Sequence, residues 1–175
     1  MTQCYFGKYR GRVTSNEDPE QRGRIQVSVP SIFGDIQLNW AMPSVPYAGL
    51  QSAFYAIPPP QANVWIEFEG GNPEKPIWSG CFWGLGEVPP LALATPATVP
   101  HLLFQTSGQT TLLVSDAPGP TGGIMLKTAS GAMITINDTG ITITNGKGAV
   151  IQMTGAGITV TGTPTAINGA ALVVN

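Results

Sequence analysis

The N-terminal half of the chain alternates apolar and polar residues in short runs. In "GRIQVSVP", residues 23–30, Ile25, Val27 and Val29 fall on one face and Arg24, Gln26 and Ser28 on the other. In "QANVWIEFEGG", residues 61–71, Val64, Ile66 and Phe68 alternate with Trp65, Glu67 and Glu69. A period of two is the mark of a half-buried strand. "YFGKYRGRVTS", residues 5–15, alternates around its glycines, and "PIWSGCFWG", residues 76–84, predicts a last strand that Gly80 and Gly84 allow to curve. "DPEQRG", residues 18–23, is turn chemistry. About five short strands with no helical stretch between them predict a small closed barrel.

The C-terminal half repeats. Glycines at 123, 131, 140, 148 and 157 are spaced by 8, 9, 8 and 9 residues. After each glycine, apolar residues alternate with mostly Thr, Gln or Lys: Ile124/Leu126, Ile134/Ile136, Ile141/Ile143, Ile151/Met153, Ile158/Val160. Each step therefore predicts a strand with one dry face. "GQTTLLVSD", residues 108–116, precedes the regular steps as a further strand, and "APGPTG" is a loop insertion. Strands this short give one chain few ways to cover their dry faces. Three identical chains wound into a triangular prism would cover them, with strand edges paired between chains and glycines at the corners. The trimer core is then Ile134, Ile136, Ile141, Ile143, Ile151, Met153, Ile158 and Val160. A fibre-like adhesin or an amyloid-prone tail is the alternative reading of such a repeat.

Composition sharpens this picture. Charged residues make up 10% of the 175 positions, with 22 glycines and 16 prolines. An ordinary domain carries about 25% charge, so much of this surface is expected to lie between chains. Residues 1–87 hold fourteen of the eighteen charged residues. "EVPPLALATPATVP", residues 87–100, cannot form a helix interior or a central strand. The expected division is residues 1–86 for the barrel, 87–104 for a Pro/Ala-rich linker and 105–175 for the repeat. The net charge of −2 argues against a phosphate-binding footprint. Cys4 and Cys81 match no zinc or redox spacing and are expected as small buried thiols rather than a disulfide. The start "MTQCYFGKYRGR" lacks the apolar core of a signal peptide, so synthesis in the cytoplasm is expected.

Together, three segments resemble the baseplate assembly protein V family, the central spikes of contractile phage tails, type VI secretion and extracellular injection particles. They are "YFGKYRGRVTSNEDPEQRGRIQVSVPSI", "NWAMPSVPYAG" and "FYAIPPPQANVWIEFEGGNPEKPIWSGCFWG", in family order over residues 5–84 and followed by the glycine steps. The resemblance implies an all-β chain: an N-terminal OB-fold barrel and a C-terminal intertwined triple-stranded, trimeric β-helix. It implies a homotrimeric, non-enzymatic puncturing spike, with a baseplate hub at the OB end and a location in a virion or contractile particle. Relatives without a histidine-bound apex commonly carry a conical tip protein with Pro-Ala-Ala-Arg repeats. Ala170, Ala171, Leu172, Val173, Val174 and Asn175 are the expected docking surface for one. The lysozyme-like domain, large hub domain and His-x-His metal motif of some relatives are not found in this sequence.

No catalytic, cofactor or metal site is expected. His101 is the single histidine and could ligate a metal only with its symmetry mates. Glu67 and Glu69 have no nucleophile or cleft beside them and are expected on a solvated or interprotomer face. Lys8, Arg10, Arg12, Arg22 and Arg24 could suggest a single-strand nucleic-acid module, but no aromatic platform is evident and Glu17, Asp18 and Glu20 neutralise the cluster. A β-solenoid carbohydrate enzyme would need a carboxylate cluster, and residues 117–175 offer only Asp138.

Overall fold

The computed structural model describes residues 3–163. The positions expected to dock a tip protein, 170–175, lie outside the described residues. The chain divides into two compact units, Met1–Glu87 and Val88–Asn175.

The first unit runs β1 (Tyr9–Ser15), β2 (Gln26–Val29), a one-turn helix Pro30–Phe33, β3 (Gly34–Gln37), β4 (Met42–Pro43), β5 (Ala48–Gly49), β6 (Ser52–Ala53), β7 (Asn63–Phe68) and β8 (Pro76–Cys81). The main sheet has the order β3-β2-β1-β7-β8-β4. Ile25, just before β2, bridges Ala41, just before β4. β4 in turn pairs with β8 in parallel, Met42 against Ile77. The hydrogen-bonded ladder thus runs round the sheet and back on itself. The alternation read from the sequence is the core: Val13, Ile25, Val27, Val29, Val64 and Ile66 are fully buried, with Phe68 and Trp78 nearly so. Fully burying each such side chain stabilises by roughly 1.5–3 kcal/mol. Tyr5, Tyr9, Phe33 and Phe68 pack together against this core in edge-to-face and tilted pairs, with ring centroids 5.1–6.3 Å apart.

The β1–β2 connection is held by one carboxylate. Asp18 accepts backbone N–H bonds from Glu20, Arg22 and Arg24 at 3.0, 2.8 and 3.2 Å. It also receives the Arg24 guanidinium through Nε at 3.0 Å and Nη2 at 2.6 Å. The Trp78 indole N–H donates to the Gly23 carbonyl at 3.1 Å, fastening this loop to the barrel core. Gln21 and Gly23 adopt φ of 53° and 75°, which lets five residues turn inside this grip. Bonding to Arg24 holds the Asp18 carboxyl well below the usual carboxylate range, with the three backbone N–H groups adding to the effect against some desolvation. The same pairing raises the Arg24 pKa further.

The second unit begins with a one-turn helix, Pro90–Leu93. A single antiparallel meander follows: β9 (His101–Gln105), β10 (Thr111–Ser115), β11 (Gly123–Lys127), β12 (Met133–Asn137), β13 (Gly140–Thr144), β14 (Val150–Thr154) and β15 (Gly157–Thr161), paired in chain order. Strand β9 takes in His101–Phe104, which the sequence reading assigned to the linker. Two-residue turns join β12 to β13 and β14 to β15, where Asn137 pairs with Gly140 and Thr154 with Gly157. The ladder bonds from β9 to β15 therefore lie within one chain, whereas the repeat alone predicts strand-edge pairing between chains.

Two smaller expectations also change. Cys4 and Cys81 are exposed rather than buried. Glu69 does not share a strand face with Glu67: β7 ends at Phe68, and Glu69 opens a 3-10 turn, Glu69–Gly71.

Candidate functional site

The strongest feature of the second unit is one face of its sheet. Antiparallel registration stacks like residues across every strand pair. One column runs Leu102, Val114, Ile124, Ile136, Ile141, Met153, Ile158; a second runs Phe104, Leu112, Leu126, Ile134, Ile143, Ile151, Val160. All eight residues expected in a trimer core stand in these two columns. Among the described residues nothing covers them. Leu102 is 62% exposed, Ile136 46%, and Ile134, Ile143 and Ile151 39% each. Seven strands about 4.8 Å apart carry this apolar stripe over roughly 29 Å. A soluble monomer rarely leaves so continuous an apolar face in water.

The opposite face explains which side needs a partner. Its central column runs Leu103, Leu113, Met125, Thr135, Thr142, Gln152, Thr159. At the apolar end, Leu113 is buried, and the segments carrying Leu91, Pro96, Ala117 and Pro120 close over it around a cavity of about 330 Å³. From β12 onward the column is Thr and Gln, polar residues that tolerate water, and Thr also favours strands. One side of the sheet is satisfied within the chain; the other is not.

The turns show why glycine recurs. Gly123, Gly131, Gly140 and Gly148 adopt φ of 77°, 90°, 136° and 101°, a region side chains disfavour. A Cβ on Gly140 would collide with the Met153 carbonyl, and one on Gly123 with that of Ile136. The Asp138 carboxylate accepts the Gly119 N–H at 2.9 Å and so ties the 117–122 loop to the β12–β13 turn.

The remaining sequence candidates resolve differently. His101 alternates with Leu102 and so stands on the face opposite the apolar columns, where its Nδ1 lies 3.0 Å from the Val99 carbonyl. Copies meeting through the apolar face would not bring their histidines together. No cluster of three or more His, Cys, Asp or Glu suited to a metal occurs among the described residues. Of the five basic residues, Lys8 pairs with Glu67 at 3.1 Å, Arg22 with Glu20 at 3.1 Å and Arg24 with Asp18. Arg24 also lies over the Trp40 ring, 5.4 Å from its centroid. Arg10 lies over Trp65 and Phe82, whose rings are 4.7 Å apart. This aromatic pair is not visible in the sequence, because it forms across strands: Arg10 is the direct β1 partner of Trp65. The stacking surface is already occupied by the chain's own arginine.

Residues 101–173 match the phage baseplate V C-terminal trimerisation domain, and residues 9–83 match the type VI secretion system/phage-baseplate injector OB domain. The chain belongs to the phage baseplate V family. No curated protein matches it. A phage baseplate V chain of this kind is an all-β structural component of an injector: an OB unit followed by a trimerisation unit, acting as a homotrimer within a virion or related particle.

Proposed function

We propose that three copies of this chain form the central spike of a contractile injection machine, driven through the target envelope when the sheath contracts. The observation that carries this reading is the pair of apolar columns left open along β9–β15. Three such faces turned inward make a prism with a dry axis, whose core includes Ile134, Ile136, Ile141, Ile143, Ile151, Met153, Ile158 and Val160. Taking a half-exposed isoleucine to full burial adds on the order of 1 kcal/mol, repeated along each column and in each copy. A shaft built this way resists axial load because loosening one sheet exposes the dry faces of two others.

The work is mechanical, so the chain needs no catalytic group, cofactor or metal of its own. The OB unit, residues 1–86, faces the baseplate hub; the Pro/Ala-rich stretch that follows connects it to the shaft, which begins with β9 at His101. The apolar sequence Ala170–Val174 supports a docking role for a conical tip protein with Pro-Ala-Ala-Arg repeats.

The test compares particles carrying the natural chain with particles carrying a spike truncated before Gly140, both triggered to contract. The proposal expects equal sheath contraction but loss of dye entry into target cells for the truncated spike. Equal dye entry would refute the puncturing role.

A further inference from the structure

The second unit contains four charged side chains, Asp116, Lys127, Asp138 and Lys147. Their placement is not random. In the meander, the turns at 106–110, 128–132 and 145–149 lie along one margin of the sheet, and those at 116–122, 138–139 and 155–156 along the other. Lys127 ends β11 at the first margin, and Lys147 lies in a turn there. Asp116 and Asp138 lie in turns at the second margin. One margin is purely basic and the other purely acidic. Five-residue strands separate them by about 17 Å. All four are exposed, and no ion pair within the chain involves any of them among the described residues.

We infer that the basic margin of each copy lies against the acidic margin of the next, so that Lys127 and Lys147 of one copy and Asp116 and Asp138 of its neighbour form the seams of the trimer. This rests on the proposed trimer and specifies how its copies meet. In a threefold ring each contact is heterologous, one margin against the other margin of the next copy. Opposite charges on the two margins satisfy that arrangement at all three seams. They oppose a copy packed upside down, which would bring like margins together.

The heights of the charges agree with one geometry. Lys127 lies one strand further along the meander than Asp116, and Lys147 lies one turn further than Asp138 by the same single strand. Strands inclined so that one margin drops by one strand spacing, about 4.8 Å, bring both pairs level at once. The apolar columns supply the association; the seams select orientation and register, the role charges commonly have at interfaces.

The test is the urea-induced dissociation of the full-length trimer, followed by sedimentation at low and high salt. At about 10 mM NaCl the Debye length is about 30 Å, and at about 1 M it is about 3 Å. The variant K127E/K147E makes both margins acidic. At one fixed urea concentration it should raise the protein concentration at which half the trimer is dissociated about tenfold or more at the lower salt, and approach the natural chain at the higher. The variant D116K/K127E/D138K/K147E exchanges the margins and should abolish that salt-dependent defect. Salt dependence is the deciding readout, because D138K also removes the bond from Gly119. A natural trimer with K127E/K147E indistinguishable from it at both salts, or a fourfold exchange that retains the defect, would overturn the seams and leave the trimer standing. A natural chain that does not trimerise would overturn both.

Discussion

Ile143 of β13 stands directly across from Ile151 of β14, and each leaves 39% of its surface open to water. In a single chain this is an unfavourable arrangement of two good strand formers. It is the local form of the relationship that runs down all seven strands of the second unit. The substitution Ile143→Asp should therefore block association, because three carboxylates would enter one dry core without partners. Light scattering should return the mass of a single chain for this variant. A variant that still trimerises would reverse the inside and outside of the sheet.

The turn glycines give a graded prediction. Gly140 has φ of 136° and a Cβ there would meet the Met153 carbonyl, so Gly140→Ala should destabilise the shaft by about 1–3 kcal/mol per chain. Gly157 has the same place in the repeat but no positive φ, and its added Cβ would lie 3.6 Å from the nearest atom, Thr154 O. Gly157→Ala should change stability little. Urea midpoints of the two variants, measured at one protein concentration, test the contrast.

How much of this was legible in the sequence differs between the two units. The barrel core was, since Ile25, Val27, Val29, Val64 and Ile66 alternate without a break and are all fully buried. The strands of the second unit and the apolar side of each were legible for the same reason. Pairing was not, because a glycine every eight or nine residues suits strands joined within a chain as well as strands shared among chains. The turn chemistry held the answer: "NDTG" at 137–140 makes a two-residue hairpin turn between Asn137 and Gly140. The grip of Asp18 on its loop and the Arg10–Trp65–Phe82 stack were not legible, since each depends on which residues fall opposite one another.

Acid should loosen the OB unit through Asp18. Its carboxyl is held below the usual range by Arg24, so the folded state binds its proton less readily than the unfolded chain does. The stability from this pairing is fully present above the unfolded pKa, about 3.9. It is lost as pH falls through the depressed folded value. Asp18→Asn should flatten the acid end of the stability curve, read from tryptophan fluorescence during urea unfolding between pH 2 and 5. An unchanged slope would show that Asp18 does not govern it.

The first unit has a core of its own, from Val13 to Trp78, with no member after residue 87 among the described residues. A chain ending at Glu87 should fold with a cooperative transition and associate far more weakly than the full protein. Sedimentation at increasing concentration checks this. A fragment as strongly trimeric as the full chain would move the main association surface into the barrel.

The most direct test is the mass of the full-length protein in solution, by sedimentation equilibrium over a range of concentrations. The account predicts about three times the chain mass of 18.3 kDa, held by the faces of β9–β15. A clean monomer at every concentration would contradict it.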